Sequence, residues 1–366
     1  MHDKKARLRP TAPGHKLADG VSDGLEPLKA LDLSKVRSVD DLVRGLSHTA
    51  FAGRSVGEAA DVLEAMVRDP GCFVVCTLSG AMTVAKMGLV LCDMIDAGWV
   101  QAVVSTGALM AHGFVEATGG AHFKVDPRIP DDQLYERGYD RVYDTLELEQ
   151  NLDDVEEIVR AVLERWDPAV VLTSAGFHGA LGAHLHDHVP GRGILKSAWE
   201  RKVPVYVPAF TDSELGLDVA LHIQRAKLAG KTPVRYDAFA DLEDYKERLL
   251  RGERAGIFTI GGGVPRNWAQ QVGPYLEITK KRLQIEVPLR RFQYGVRICP
   301  EPAHWGGLSG CTYSEGVSWG KFVPISEGGL YAEAMVDATV AWPLVVLAVA
   351  ERCAKSPPAR KAFAGP

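Results

Sequence analysis

A carboxylate, an indole and a lysine lie within seven residues of one another near the C-terminal end of the chain, as Glu315, Trp319 and Lys321. They belong to a segment rich in glycine and serine, residues 309–321. A free lysine is protonated at neutral pH, but burial against an aromatic face disfavours the ammonium ion and lowers the pKa. A neighbouring glutamate can move protons or hold a cationic amine. The spacing predicts a nucleophilic lysine, with a solvated surface lysine after a tight turn as the alternative.

Small and hydroxylated residues follow three short apolar runs that we predict to be strands. The three segments are residues 77–80 (Thr-Leu-Ser-Gly), 105–108 (Ser-Thr-Gly-Ala) and 261–263 (Gly-Gly-Gly). Each would place backbone N–H groups at the start of a helix, where anions are favoured. A dinucleotide could use all three, although the GxGxxG fingerprint is absent. Three ordinary strand-to-helix turns remain the alternative.

Two aspartates stand where a strand or loop meets a helix. Asp212 follows the run Val205–Phe210, and Asp337 with Ala338 precedes the last predicted helix. A carboxylate at such a place can accept ribose hydroxyl groups or anchor an amine. It can equally be a simple helix N-cap, so the residues alone leave both readings open.

Metal and hydrolase chemistry are not indicated. Four histidines cluster at 178, 184, 186 and 188, but no cysteine or carboxylate array completes a metal site, and we expect no metal. The run Gly306–Gly310 lacks the second glycine of a nucleophile elbow, because residue 311 is cysteine.

Short apolar strands alternate with amphipathic helices along most of the chain. Expected strands include 72–78, 100–106, 169–174, 203–208, 255–260 and 295–299, and expected helices include 81–97, 107–118, 153–166, 215–229 and 265–273. Almost wholly apolar strands separated by helices predict an α/β fold: a doubly wound, mainly parallel sheet with helices on both faces. Ligands then bind beyond the carboxyl ends of the strands. Residues 121–150 are predicted to be an insertion or a lid.

Composition narrows the class of protein. The chain has 366 residues, of which 46% are hydrophobic, as is ordinary for a globular protein. Its net charge of −5 argues against nucleic acid as the main partner. Its six cysteines show no CxxC spacing, and the apolar run 340–350 is too short to span a bilayer, so we expect a cytoplasmic protein. We predict an N-terminal arm (1–30), one domain (31–355) and a C-terminal tail (356–366).

The lysine segment resembles the active-site segment of the deoxyhypusine synthase family. The shared pattern is Ser309-Gly310, a six-residue spacer and then Val-Ser-Trp-Gly-Lys up to Lys321. Thr211-Asp212, Gly261–Val264, Asp337-Ala338 and Pro343-Leu344 also match, so that the resemblance covers most of residues 30–353 in order.

The resemblance implies an NAD-dependent transferase that moves an aminobutyl group from spermidine through an imine on Lys321 to an acceptor amine. It implies a Rossmann-like homotetramer with sites between subunits, and a polyamine partner with a protein lysine or a diamine as acceptor. Glu315 would pair with a substrate amine and Trp319 would line the site. The implied NAD contacts are Thr77, Ser79, Thr106, Gly107, Asp212, Gly261, Gly262, Gly263, Asp337 and Ala338.

Several positions depart from the family pattern. Asn267 stands where a histidine is usual, Trp305 and Leu308 stand where aspartates are usual, and Ala111 with His112 replace paired glutamates. Asn267 and His112 are still candidate catalytic residues, since a neutral imidazole can accept a proton. The pattern resembles a divergent, bacterial-type branch. Alternatives are homospermidine synthase-like transfer to a free diamine, a polyamine- or NAD-binding protein without turnover, and another NAD-coupled reaction at an amine.

Overall fold

The computed structural model describes residues 18–359 and 361, and it contains two sheets. The strands, in chain order, are β1 Cys72–Leu78, β2 Ala102–Ser105, β3 Phe123–Lys124, β4 Tyr139–Val142, β5 Thr145–Leu148, β6 Val205–Tyr206, β7 Arg254–Ile260, β8 Phe292–Ile298 and β9 Leu330–Ala334. The main sheet has the order β6-β2-β1-β7-β8-β9, and every pairing in it is parallel.

The strand order places a switch point between β1 and β7. From β1 the chain adds β2 and β6 on one side, and it then returns to the other side of β1 with β7, β8 and β9. Counted within the sheet this is the order 3-2-1-4-5-6, in which ligands bind at the point where the direction of winding reverses. The carboxyl ends of β1 and β7 are in register there, with Thr77 opposite Thr259 and Leu78 opposite Ile260.

Helices cover both faces of this sheet. They are α1 Val39–Ser47, α2 Phe51–Arg68, α3 Gly88–Asp96, α4 Gly107–Ala117, α5 Asp131–Glu136, α6 Glu149–Glu164, α7 Ser174–His188, α8 Ile194–Glu200, α9 Glu214–Leu228, α10 Ala238–Leu250, α11 Gly263–Gln270, α12 Val272–Leu283, α13 Tyr313–Ser318 and α14 Ala338–Lys355.

Side chains of β1 point alternately into two separate cores, as the period of two in a strand requires. Val74 and Cys76 pack in the core that α2, α3, α4 and α14 also enter, whereas Phe73 and Val75 pack with α10, α11 and α12. All seven residues of β1 are buried, which explains why this strand is apolar without alternation. The predicted doubly wound α/β fold is therefore confirmed.

The predicted insertion forms a small antiparallel sheet beside the main one. Its strand order is β3-β5-β4, and Phe123 pairs with Leu146 while Tyr139 pairs with Leu148. The loop before β3 and the strand β5 both lie against α4, because His122 and Glu147 contact His112 of that helix. This sheet attaches the segment 121–150 to the body of the fold.

Two predicted elements differ from the structure. Residues 169–174 were expected to be a strand, but Leu172 makes only an isolated bridge to Tyr236, and α7 begins at Ser174 because Thr173 caps it. The helix expected over 81–97 is formed only from Gly88, since residues 82–86 form turns and Lys86 has a φ of +63°.

The proposed boundaries at the two ends stay predictions. Residues 1–17 of the predicted arm, and residues 360 and 362–366 of the predicted tail, lie outside the described residues. In the part of the chain that is described, no helix is both long and apolar enough to cross a bilayer.

Candidate active site

Lys321 is fixed by its backbone between a short helix and the main sheet. After α13 the chain turns at Gly320, whose φ of +68° is in the left-handed region that favours glycine. The Lys321 N–H then donates to the Gly316 carbonyl at 3.1 Å, and the Lys321 carbonyl accepts from Phe292 N–H at the start of β8, at 2.9 Å. The next side chain, Phe322, is completely buried. The register of the lysine is thus set by core packing.

The side-chain amine of Lys321 lies in a partly buried, cationic environment. Its Nζ donates to Oδ1 of Asn267 at 2.9 Å. Burial lowers the pKa of Lys321 below its usual range, and the positive charge of Arg266 lowers it further, whereas Glu315 acts in the opposite direction. The amide oxygen that accepts this hydrogen bond is uncharged, so it stabilises the ammonium form of Lys321 less than a carboxylate would. The arrangement favours a nucleophilic amine.

Arg266 is a residue of this site that the sequence analysis missed. It is 3% exposed, its Nη2 donates to the Cys311 carbonyl at 2.6 Å, and its guanidinium lies 5.1 Å from the centre of the Tyr313 ring. A second buried arginine, Arg297, donates to the Ser309 carbonyl at 2.5 Å. The two arginines hold the loop before Lys321, and one of them also lowers the basicity of the amine.

Lys321 opens into a cavity of about 460 Å³ between α11, α12 and α13. Trp319 is 64% exposed, and the centre of its ring lies 6.0 Å from Lys321 Nζ, at the outer limit of a cation–π contact. Glu315 is exposed at the start of α13, where its N–H donates to Thr312 Oγ1. The remaining lining residues are Arg266, Asn267, Gln270, Gln271, Pro274, Ile278, Leu308, Cys311, Thr312 and Gly316. Glu315 is the one carboxylate in this set.

The triple glycine lies between the end of β1 and the lysine loop. Gly262 N–H donates to Ser79 Oγ at 2.9 Å, and a Cβ added at Gly261, which has a φ of +76°, would lie 2.0 Å from the same oxygen. A Cβ at Gly262 would lie 2.5 Å from Ser309 Cα. Only glycine allows these three loops to approach so closely, and α11 begins here without a side-chain cap.

A second helix start lies beside the first. Thr106 is the N-cap residue of α4, but its side chain makes no capping hydrogen bond to the helix. Its Oγ1 donates instead to the Gly80 carbonyl at 2.8 Å. A Cβ at Gly107 would lie 2.2 Å from Ser213 Cβ and 3.4 Å from the Asp212 carbonyl oxygen. Ser213, not Asp212, caps α9, so the capping alternative for Asp212 is wrong and its exposed carboxylate is available.

Four predicted site residues are placed elsewhere or are already engaged. Thr77 is 0% exposed and its hydroxyl donates to Thr259 Oγ1 at 2.9 Å, so it offers no surface to a ligand. Asp337 caps α14 by accepting from Thr339 N–H at 2.8 Å, and Ala338 is buried. His112 does not line the Lys321 cavity, because it contacts Glu147 in the 121–150 segment.

Comparisons with known proteins assign the chain to a family. A family model described as deoxyhypusine synthase matches residues 41–349. The probable deoxyhypusine synthase 1 of Methanosarcina acetivorans is 34% identical over 334 residues, which cover 90% of this chain and 96% of that protein. The deoxyhypusine synthase-like protein of Chlorobaculum parvum is 31% identical over 322 residues, which cover 87% and 88%.

Among solved structures, a deoxyhypusine synthase candidate from Entamoeba histolytica aligns with a TM-score of 0.55. The alignment covers 88% of this chain and 96% of that chain at 14% identity, so it supports the fold alone. The family model and relatives above 30% identity each cover most of the sequence. This chain belongs to the deoxyhypusine synthase family.

Proposed function

We propose that this protein is an NAD-dependent transferase that moves an aminobutyl group from spermidine, or a related polyamine, through an imine on Lys321 to an acceptor amine. Family membership supports transfer as the class of reaction. The observation that carries the finer proposal is the environment of Lys321, whose amine is partly buried, close to the cation Arg266 and hydrogen-bonded to a neutral amide. Such an amine can be uncharged near neutral pH, as covalent catalysis by lysine requires.

The residues at the switch point fit a dinucleotide. The first turns of α4 and α11 have no side-chain caps, so their N–H groups can face phosphate oxygens. A Cβ added to Gly263 would approach only Ser309 Oγ, at 4.0 Å, so there is room for a ligand against the backbone at this residue. Ser79, Thr106 and Asp212 would hold the remaining polar groups. The chemistry that NAD supplies when bound is removal of a hydride from the polyamine carbon next to the secondary nitrogen, and its later return.

Lys321 performs the covalent steps. Its Nζ lone pair attacks the oxidised carbon, the bond from that carbon to the departing diamine breaks, and the proton lost from Nζ leaves with the diamine. The aminobutyl fragment is then held as an imine of Lys321. An acceptor amine attacks the same carbon and displaces Nζ, which leaves a C=N bond to the acceptor; a hydride supplied by bound NADH would reduce that bond to a secondary amine. Asn267 orients Nζ throughout, because it accepts the Nζ hydrogen bond.

Glu315 and Trp319 would hold the polyamine. Glu315 would pair with a substrate ammonium group, and Trp319 would supply an apolar wall that limits hydrolysis of the imine. Leu308, which lines the same cavity, adds no charge where the family usually has an aspartate. We therefore expect weaker polyamine binding than in family members that retain the acid, since a charge-assisted hydrogen bond contributes about 1.5–3 kcal/mol.

We also propose a homotetramer with the sites between paired subunits, as the family resemblance implies. Three large apolar side chains that line the cavity are exposed in the single chain, namely Ile278 (42%), Leu308 (44%) and Trp319 (64%). Exposed apolar side chains grouped around one cavity are typical of an interaction surface. Sedimentation equilibrium tests this proposal: a mass of four chains supports it, and a monomer at micromolar concentration contradicts it.

The transfer is tested by trapping the imine. The protein is incubated with NAD and labelled spermidine, reduced with borohydride and digested for mass analysis. We expect a butylamine adduct on Lys321, no adduct in Lys321→Arg, and an unchanged adduct in the matched control Lys280→Arg, which alters an exposed lysine of α12. No adduct despite measurable NAD binding would favour a binding protein without turnover. Putrescine and the unmodified precursor of the hypusine-bearing translation factor, supplied separately, then distinguish the two acceptor classes.

A further inference from the structure

Two histidines and a glutamate from three separate segments meet beside α4, away from the lysine cavity. Nδ1 of His112 lies 3.1 Å from Oε2 of Glu147, and Nε2 of His122 lies 2.7 Å from the same oxygen. The three candidate ligand atoms all lie within 4.8 Å of one another. We propose that His112, His122 and Glu147 form a binding site for one divalent transition-metal ion, for which Zn²⁺ is the best chemical match.

The separations are close to those of a tetrahedral metal site. Zn–N and Zn–O bonds of about 2.0–2.2 Å place neighbouring tetrahedral ligand atoms about 3.3 Å apart. The two ring nitrogens lie 3.1 Å and 2.7 Å from Glu147 Oε2, and all three ligand atoms lie within 4.8 Å of one another, so modest side-chain adjustments reach this value. Two imidazoles with one carboxylate are a ligand set that Zn²⁺ commonly uses, with water as the fourth ligand. His112 is the open side of the cluster, because its side chain is 18% exposed while those of Glu147 and His122 are fully covered.

The buried nitrogen of His122 has an unmet requirement. Nε2 lies 2.7 Å from the Glu147 oxygen, yet this buried nitrogen makes no hydrogen bond of good geometry. A buried polar atom without a partner is uncommon in a folded protein. A metal ion bound along the ring direction would satisfy Nε2, and it would separate the nitrogen from the carboxylate oxygen.

The surroundings of Glu147 orient it as a ligand. Its other oxygen, Oε1, accepts from Asn151 Nδ2 at 2.6 Å and from Leu148 N–H at 3.0 Å, so Oε2 is left facing the two imidazoles. Outer hydrogen bonds of this kind are a regular feature of metal sites.

Lys86 contacts the other ring nitrogen of His122 and would compete with a bound metal ion. Its Nζ lies 2.7 Å from His122 Nδ1 and 3.2 Å from Glu116 Oε1. An ammonium group only donates, so in this position it requires Nδ1 to accept, and the ring proton is then on Nε2. Metal binding through Nε2 requires the other tautomer. Lys86 must therefore turn towards Glu116, and it competes with the metal.

A metal here would join the small sheet to the main fold. His112 is in α4, His122 precedes β3 and Glu147 is in β5, so the ion would clamp the 121–150 segment onto α4. The four clustered histidines considered from the sequence are all in α7, and within the described residues this His112 cluster is the one group of three candidate ligands. No local sequence pattern indicates this cluster, because its members are 10 and 25 residues apart.

The experiment uses the full-length, tag-free protein, stripped with a chelator and then loaded with Co²⁺ or Zn²⁺. We expect one ion per chain by elemental analysis after gel filtration, the visible absorption of tetrahedral Co²⁺, and a rise in melting temperature with Zn²⁺. His122→Gln and Glu147→Gln should each weaken binding at least 100-fold, while Lys86→Met should tighten it. His186→Gln, in α7, is the matched control and should bind normally.

Failure of Co²⁺ to bind at one ion per chain, or binding unaffected by His122→Gln and Glu147→Gln, would overturn the site. Weaker binding in Lys86→Met would overturn the competition argument. If Glu147→Gln fails to fold by circular dichroism, His112→Asn replaces it, since His112 is at the exposed side of the cluster. None of these measurements depends on transferase activity, so the outcome is independent of the proposed function.

Discussion

The hydrogen bond between Lys321 and Asn267 makes a quantitative prediction about the reactivity of the amine. Replacing Asn267 with aspartate keeps the shape of the side chain but places a negative oxygen 2.9 Å from Nζ. A charge-assisted hydrogen bond contributes about 1.5–3 kcal/mol and a neutral one about 0.5–1.5 kcal/mol, so the ammonium form gains about 1–2 kcal/mol. Since 1.36 kcal/mol changes a protonation equilibrium tenfold, the neutral fraction of Lys321 near pH 7.5 should fall about 5- to 30-fold.

The assay is the rate at which trinitrobenzenesulfonate labels Lys321, followed by peptide mass analysis between about pH 6 and 10 without substrate. Only the neutral amine reacts, so the labelling rate rises with pH through the pKa of Lys321. In Asn267→Asp the rise should move to higher pH, and the rates of variant and parent should converge in alkali. Asn267→Ala removes the acceptor without adding charge and serves as the control. Labelling of Asn267→Asp as fast as that of Asn267→Ala would refute the reasoning.

Three further predictions concern the substrate, the cofactor loop and the pH dependence of stability. Glu315→Gln should raise the KM for spermidine about 10-fold with a smaller change in kcat in steady-state assays, because an exposed ion pair is lost. Gly262→Ala should abolish NAD binding in calorimetry, since its Cβ would lie 2.5 Å from Ser309 Cα, whereas Gly191→Ala, where a Cβ meets nothing within 4 Å, should bind normally. Burial, followed by nearby carboxylates, raises the pKa of Asp218 from 3.8 to about 7. Between about pH 4 and 7 the folded state therefore holds a proton that the unfolded state has lost, so the stability of the protein falls as pH rises. Asp218→Asn removes this titration. The difference in melting temperature between Asp218→Asn and the parent protein should therefore grow over that window and then level off.

The sheet was predictable because its strands carry a local signal. The run 72–78 is apolar except for Thr77, as is typical of a strand buried on both faces, and the structure buries all of it. The prediction of a strand over 169–174 was wrong because Thr173 caps α7, which begins at Ser174. The capping hydrogen bond outweighs the strand preference of the apolar residues that precede it. The short strand β9, Leu330–Ala334, was missed because it is an edge strand with mixed polarity.

The lysine segment was predictable, but the groups that tune it were not. Glu315, Trp319 and Lys321 are close in sequence, whereas Arg266 reaches the same loop from 45 residues away through the Cys311 carbonyl. Nothing in the local pattern around Arg266 distinguishes it from a solvated arginine. Likewise, His112 was predicted as a proton acceptor for catalysis, and its contact with Glu147 becomes visible only when the 121–150 segment folds back onto α4.

The loops at the end of the sheet couple the predicted cofactor site to the lysine. Gly262 contacts Ser79 on one side and Ser309 on the other, and the Ser309 carbonyl is held by Arg297 of β8. β7 and β8 are paired neighbours, so the sheet hydrogen bonds and the buried Arg297 side chain together fix the distance between the glycine loop and the lysine loop. A hydride donor and an amine that act on one carbon need this constancy, because a misplacement of about 1 Å can cost about 100-fold in rate. In the proposed reaction, the buried sheet would serve the chemistry by keeping the two loops in a single relative position.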